Sequence, residues 1–283
     1  MGEMTLRDRV AFQGVSGAYS EQAIRQHFGE TVETVPCPNF SALFDALYAG
    51  DVKYAMMPVE NALAGAVSQA HELLMDYDFR IQAEVILHVR HQLMAIHGSK
   101  LADIREVRSH PQALAQCEKY LKRNNLTPVP SWDTAGSAMD LANNPEPHIA
   151  VIASSLAGKL YDLDVLEPNI EDVSFNFTRF FVLGHDDAPR GEYNKTSLVF
   201  ATRHRPAALY ECLGEFAQRG LNLTKIESRP RRNRPWEPVF YVDFEGHWQD
   251  PLCQEVLVSL LQRASFVKMF GSYPAVITKS IGI

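Results

Sequence analysis

A regular exchange of short apolar strands and amphipathic helices runs from residue 10 to residue 152, and it limits the possible folds more than any other feature of the chain. Val10-Ala11-Phe12 reads as a strand, 20–28 as an amphipathic helix closed by Gly29, 32–35 as a strand and 41–48 as a helix ended by Gly50. Residues 54–57 read as a buried strand and 66–75 as a further helix. A strand-rich stretch, 79–96, interrupts the rhythm. It resumes with a strand at Val107, a helix over 112–121, a strand at Val129, a helix over 135–142 and the strand Ile149-Ala150-Val151-Ile152. Alternation of this kind predicts an α/β fold, with helices layered on a mostly parallel sheet.

An internal echo bears on how many such layers there are. Leu63-Ala64-Gly65 follows a buried strand and the polar pair Glu60-Asn61, and Leu156-Ala157-Gly158 follows another buried strand and the pair Ser154-Ser155. The helices near Ser41 and Ala135 fall at a similar offset, as do the strand-to-helix turns at Ser16 and Ser109. Two readings stand. Either the echo is chance, or two similar lobes face each other and take a ligand at the carboxyl ends of their strands. A polar, turn-rich stretch over 184–192 then reads as a linker. Beyond it the order is strand (196–202), helix (206–218), strand (221–227), strand (239–244), helix (251–263), strand (267–273). Pro206 suits a first helical turn and Gly220 a helix end. This βαββαβ order is the ferredoxin-like pattern.

Composition narrows the function. The 283 residues suffice for one large domain or two ordinary ones, and the apolar and charged fractions are those of a soluble globular chain. No apolar run reaches about 18 residues, so no membrane span is expected. The start, Met1-Gly2-Glu3-Met4-Thr5-Leu6-Arg7, lacks the apolar core of a signal peptide, and Leu6 stands where a myristoylation signal needs Ser or Thr. Cys37, Cys117, Cys212 and Cys253 form no paired spacing, so they read as reduced cytoplasmic thiols and not as a disulfide or zinc framework. The histidines show no metal-binding arrangement; His88 and His91 fall in a strand-like segment. No metal is expected. A net charge of −7 argues against a nucleic-acid partner, while leaving room for a small anionic ligand held by local donors.

Five segments carry side chains suited to chemistry. Gly14 to Glu21 lies between a strand and a helix, where glycine lets backbone approach a ligand and the helix start offers N–H groups to an anion. Its spacing is that of neither a dinucleotide fingerprint nor a P-loop. Pro58-Val59-Glu60-Asn61 places a carboxylate and an amide together where a proline ends the ladder; as a bland alternative, Asn61 caps a helix. Ser109-His110-Pro111-Gln112 opens the helix that presents Gln116, with Ser109 its expected cap and His110 a local hydrogen-bond partner. Thr134-Ala135 starts another helix with a hydroxyl. Finally, Asn176-Phe177-Thr178-Arg179-Phe180 sets a hydroxyl beside a guanidinium at the mouth of the strand Phe181-Val182-Leu183. One group can donate a hydrogen bond, and the other can clamp a carboxylate.

In this order the five segments resemble the prephenate dehydratases. The second half resembles their ACT regulatory domain through Glu227-Ser228-Arg229-Pro230, Pro235-Trp236-Glu237 and Phe240-Tyr241-Val242-Asp243. The resemblance implies two α/β lobes of the periplasmic-binding-protein type over 1–184 and a ferredoxin-like ACT domain over 195–283. It also implies decarboxylating dehydration of prephenate to phenylpyruvate without a cofactor. By the same resemblance Thr178 stands at the departing hydroxyl, Arg179 anchors a carboxylate and Phe180 shapes the pocket. Asn61, Ser109, Gln116 and Thr134 line it, with amides near Gly17 and Ala18 serving the second carboxylate. Glu60, with its pKa raised by burial, is the rival proton source, since an alkyl hydroxyl is a poor acid.

L-phenylalanine is the implied allosteric ligand, at Ala207-Ala208-Leu209 and Glu227 to Pro230 between ACT domains of a homodimer or homotetramer. Here Ala207 replaces the glycine of the usual Gly-Ala-Leu. Four arginines around Asn233 read as a structured loop, not a nucleic-acid patch. A chorismate mutase fusion is not expected, because the first strand begins near Arg9. Arogenate dehydratase and a non-catalytic amino-acid sensor are the competing readings.

Overall fold

The computed structural model describes residues 9–231 and 234–277, with backbone alone at 234–236. The opening segment Met1 to Arg7, and Arg232 and Asn233 of the arginine-rich stretch, lie outside the described residues. The chain divides into two units: one takes residues up to His71 together with Val85–Phe180, the other Glu72–Glu84 together with the chain from Phe181 onward.

The first lobe comprises β1 (Arg9–Gln13), α1 (Tyr19–Phe28), β2 (Glu33–Cys37), α2 (Phe40–Tyr48), β3 (Tyr54–Asn61), β4 (Gly65–Ala66), α3 (Ser68–Asp76) and β5 (Arg80–His88). The second comprises β6 (Gln92–Ala95), β7 (Glu106–Ser109), α4 (Pro111–Gln116), α5 (Glu118–Arg123), β8 (Thr127–Pro130), α6 (Thr134–Asn143), β9 (Ile149–Ala153), α7 (Ser155–Leu160) and β10 (Asp164–Glu167), before β11 (Phe177–Gly184) returns to the first sheet. The first sheet runs β2-β1-β3-β11-β5, with β4 on β3; the second runs β10-β6-β9-β7-β8. In each, a central strand pairs in parallel with the two that follow it after helices, β1 with β2 and β3, β7 with β8 and β9. This shared order supports two similar lobes over chance. The short echo itself does not carry the likeness: Leu63-Ala64-Gly65 turns into β4, whereas Leu156-Ala157-Gly158 lies in α7.

Local chemistry explains most boundaries. Asn39 caps α2 by accepting from the Ala42 amide at 2.9 Å, and Asp133 caps α6 through the Gly136 amide. The helix expected over 112–121 is two helices, because Cys117 (φ −116°, ψ 16°) departs from helical geometry between α4 and α5. Pro58 does not end its strand. β3 continues to Asn61, and its pairing with β1 stops at Met56, so the missing N–H removes no bond from that ladder.

The second unit contains β12 (Asn194–Ala201), α8 (Ala208–Gln218), β13 (Leu223–Arg231), β14 (Arg234–Glu245), α9 (Pro251–Arg263) and β15 (Phe266–Pro274), the βαββαβ order read from the sequence. Its antiparallel sheet runs β13-β14-β12-β15. Phe200, Phe216, Phe244, Val256 and Leu260 are fully or almost fully buried between sheet and helices. Pro206 falls outside α8, contrary to expectation, because Ala207 takes a left-handed conformation (φ 64°) immediately before it.

Residues 72–84 join this unit from far upstream in the sequence. Lys268 donates to the carbonyls of Met75 and Tyr77 at 3.0 and 2.6 Å, and Arg80 to that of Met269 at 2.9 Å. Glu84, its side chain wholly buried, takes Lys195 Nζ at 2.8 and 3.0 Å and the Val276 amide at 2.9 Å. β5 and β11 therefore each contribute residues to both units.

Candidate active site

The turn after β1 is built around a buried carboxylate. Glu21 accepts from the Gly17 amide at 2.7 Å, from Arg25 at 3.0 Å and from the Thr34 hydroxyl at 3.0 Å. Gly17 (φ 90°) must be glycine. A Cβ there would sit 2.8 Å from Ala157 Cα, in the α7 helix of the other lobe. Ser154 donates to the Gly17 carbonyl at 2.6 Å and Tyr161 to that of Ser16 at 2.7 Å, so the two lobes are hydrogen-bonded at this turn. The expected anion-binding amides are thus already committed: Gly17 to Glu21, and Ala18 to Val15 at 3.1 Å. One residue onward the situation changes. α1 has no side-chain cap, Tyr19 and Ser20 line the cavity described next, and among the described residues their amides meet no acceptor.

A cavity of about 460 Å³ opens there, between β1, β3 and β11 of one lobe and α4 and α6 of the other. It gathers Ala18, Asn61, Gln116, Thr134, Thr178 and Phe180 from the expected set, with Tyr19, His91 and His110 added. Four expected residues are not on its wall. Ser109 is fully buried and gives its proton to the Ile152 carbonyl at 2.6 Å, so it neither caps α4 nor reaches a ligand. That cap is His110, whose Nδ1 accepts from the Gln112 amide at 3.2 Å. Gly17 is spent as above. Glu60 is only half-buried and pairs in the β3–β4 hairpin, which removes the burial argument for it as an acid. Arg179 stands between Thr178 and Phe180 on β11. The two-residue period of a strand that presents those two to the cavity turns it to the other face.

The polar side chains on the wall form one chain of hydrogen bonds. Asn61 Oδ1 accepts from the amides of Leu63 and Ala64 at 3.1 and 2.9 Å, fixing which end of the carboxamide is which. Its Nδ2 then donates to Thr178 Oγ1 at 2.9 Å and to Asn176 Oδ1 at 2.8 Å. Asn176, fully buried, donates to Gln116 Oε1 at 3.0 Å, and the same oxygen meets His91 Nε2 at 2.8 Å. His91 Nδ1 meets the Tyr19 hydroxyl at 2.8 Å, which also lies 3.0 Å from the Arg90 carbonyl. Burial holds the His91 imidazole below its ordinary pKa, against the opposing pull of Gln116 and Glu171. Desolvation, with Cys117 and Glu171 adding to it, pushes the Tyr19 phenol well up. Both rings are neutral near pH 7. Thr178 Oγ1 accepts from Asn61, so its own proton is available to a ligand.

Three of these residues, Tyr19, His91 and Asn176, were not singled out in the sequence. His91 belongs to no motif and meets partners 72 and 25 residues away; nothing local marks it. Asn176 stood inside a noted segment, but its role depends on a partner 115 residues distant. Among the described residues, no group of three His, Cys, Asp or Glu could hold a metal ion, and no helix is long and apolar enough to cross a membrane.

A cleft between two α/β lobes, lined by hydroxyl and carboxamide groups, is an arrangement of the mixed α/β class suited to a small polar molecule. The prephenate dehydratase profile matches residues 10–188. Arogenate dehydratase/prephenate dehydratase 2 of Arabidopsis thaliana is 41% identical over 279 residues, covering 95% of this chain and 73% of the relative. Among solved structures, prephenate dehydratase of Arthrobacter aurescens in complex with L-Phe superposes with a TM-score of 0.86 at 30% identity, over 95% of this chain and 92% of that one. GqqA, described as a novel type of quorum quenching acylase, gives a TM-score of 0.89 at 35% identity, over 96% and 99%. The chain belongs to the prephenate dehydratase family, a family of enzymes.

Proposed function

We propose that this chain converts prephenate to phenylpyruvate. The ring carboxylate leaves as CO2, its bonding electrons aromatise the ring, and the ring hydroxyl departs with one proton as water. Aromatisation supplies the driving force. The observation that carries this reading is the hydrogen-bond chain ending at Thr178, which leaves a hydroxyl proton and the Gln116 amide directed by their partners toward a ligand. Thr178 acts as an oriented donor stabilising charge on the leaving oxygen, supported by Asn61. The uncapped first turn of α1 at Tyr19 and Ser20 suits a substrate carboxylate, Thr134 adds a hydroxyl, and Phe180 packs the ring.

The acylase neighbour raises acyl transfer as a second chemistry. A hydroxyl nucleophile needs a base to take its proton. Among the described residues Thr178 Oγ1 meets an amide donor, Asn61 Nδ2, and no base, which favours the dehydratase role.

We assign residues 1–184 to the catalytic part and 195–283 to an ACT domain that binds L-phenylalanine as a feedback inhibitor in a cytoplasmic homo-oligomer. The βαββαβ order and the L-Phe complex of the Arthrobacter aurescens neighbour support it. Ala207, Ala208 and Leu209 line a cavity of about 380 Å³ with Arg205, Tyr210 and Glu237. Glu227 to Pro230 lie instead on β13, an edge strand of the sheet, where Glu227 pairs with Arg229 at 2.7 Å. An edge is open to a second copy of the chain. Left-handed Ala207 is costly for a residue with a Cβ. Ala207→Gly is expected to stabilise the chain by about 0.5–1 kcal/mol in urea unfolding and to tighten phenylalanine binding in calorimetry.

Phenylpyruvate formation tests the whole reading, with prephenate and arogenate run in parallel, each with and without phenylalanine. Prephenate turnover suppressed by phenylalanine is the expected result. Turnover of arogenate alone changes the substrate and keeps the chemistry. Binding of phenylalanine with no turnover of either would make the chain a sensor.

A further inference from the structure

We infer that His91 is a positioning residue: as the neutral Nε2–H tautomer it pins the Gln116 carboxamide with its oxygen inward and its amide nitrogen facing the cavity. The argument starts at backbone amides, whose direction cannot be exchanged. Leu63 and Ala64 donate to Asn61 Oδ1, so Asn61 presents Nδ2 to Asn176 Oδ1, and Asn176 presents Nδ2 to Gln116 Oε1. Gln116 Oε1 is therefore an acceptor, and the ring nitrogen 2.8 Å from it must carry hydrogen. A neutral ring then offers a lone pair at Nδ1, which the Tyr19 hydroxyl meets at 2.8 Å. Each carboxamide and ring orientation follows from the one before it.

The consequence falls on Gln116. With Oε1 held by two donors, its Nε2 has two hydrogens and, among the described residues, no acceptor, on a side chain that lines the cavity. Such a donor suits a carboxylate or carbonyl oxygen of the substrate. Without His91 one of the two restraints is gone, and the carboxamide is free to turn. Tyr19 backs the same arrangement from the far side: its proton goes to Nδ1, leaving the Arg90 carbonyl at 3.0 Å as the alternative acceptor. A group that orients a substrate-contacting residue is expected to alter activity by about 10–100-fold, the range seen for groups that orient metal ligands.

This inference rests on the reading of the cavity as the prephenate site, and two measurements keep the two apart. In protein labelled with 15N-histidine, the signals lost in His91→Gln identify the ring of residue 91. The neutral Nε2–H tautomer is expected at pH 7 in the free protein; an Nδ1–H tautomer or an imidazolium overturns the inference whether or not prephenate is turned over. In steady-state assays His91→Phe is expected to lower kcat/KM about 10–100-fold, with His91→Gln, whose amide reaches the same oxygen, recovering most of the loss. In a Gln116→Ala background His91→Phe should cost less than about twofold more, because the two residues act as one unit. Additive losses would mean that His91 supports the fold alone, and the inference would be wrong. A wild-type chain inactive on prephenate defeats the functional reading, while the nitrogen spectrum still decides the tautomer.

Discussion

Thr178→Ala is expected to lower kcat for phenylpyruvate formation by about 10²–10³-fold, the usual cost of losing one oriented donor at developing negative charge. KM should stay within about threefold, since a contact made mainly in the transition state lowers kcat without weakening ground-state binding. The geometry says why the site would survive the change. Asn61 keeps the two backbone amides on Oδ1 and keeps Asn176 as an acceptor for Nδ2. Only the bond to the hydroxyl is lost. Thr178→Ser, which keeps the hydroxyl, should retain activity within about tenfold of wild type. Near-normal turnover by the alanine variant would remove Thr178 from the mechanism and return attention to other proton sources.

Lys195→Met should destabilise the chain by about 3–5 kcal/mol, read as a lowered urea midpoint, because it leaves a buried carboxylate without its cation. Glu84 has no exposed side-chain surface, and Lys195 reaches both of its oxygens. The Val276 amide remains, but a neutral donor does not offset the desolvation of a charge as a cation does. Replacing both partners with apolar residues, Glu84→Leu with Lys195→Met, should recover most of the loss, since a well-packed apolar pair is often as stable as a buried ion pair. A single-variant loss below about 1 kcal/mol would show that water or another cation already serves Glu84.

What the sequence made legible was mostly local. The strand–helix rhythm, the βαββαβ order and the bounds of α9 were readable because apolar periodicity and helix-start prolines such as Pro251 act over a few residues. The cavity likewise collects Asn61, Thr134 and Thr178, each singled out beside a strand end or helix start, and Gln116, read as presented by the helix that follows Ser109. Where local reasoning went astray, a longer-range fact decided. Ser109 looked like a helix cap until β9 supplied the Ile152 carbonyl, and Gly17 looked like an anion-binding amide until Glu21 turned back to it. Arg179 is adjacent to Thr178 in the sequence, yet a strand sends neighbours to opposite faces. His91 shows the limit most clearly, because its significance lies in two contacts that no stretch of sequence contains.

The pairing of residues 72–84 with the last third of the chain also sets a clock. Glu84 waits for a lysine 111 residues further on, and the carbonyl of Met75 for one 193 residues further on. At translation speeds of ~5–20 residues per second, the second wait is on the order of 10–40 s. For that time β1, β2 and β3 can pair with one another, while the Glu84 carboxylate stays in water until Lys195 follows. Residues 72–84 therefore reach their final partners only after the strands of the second unit have been made, long after their own synthesis.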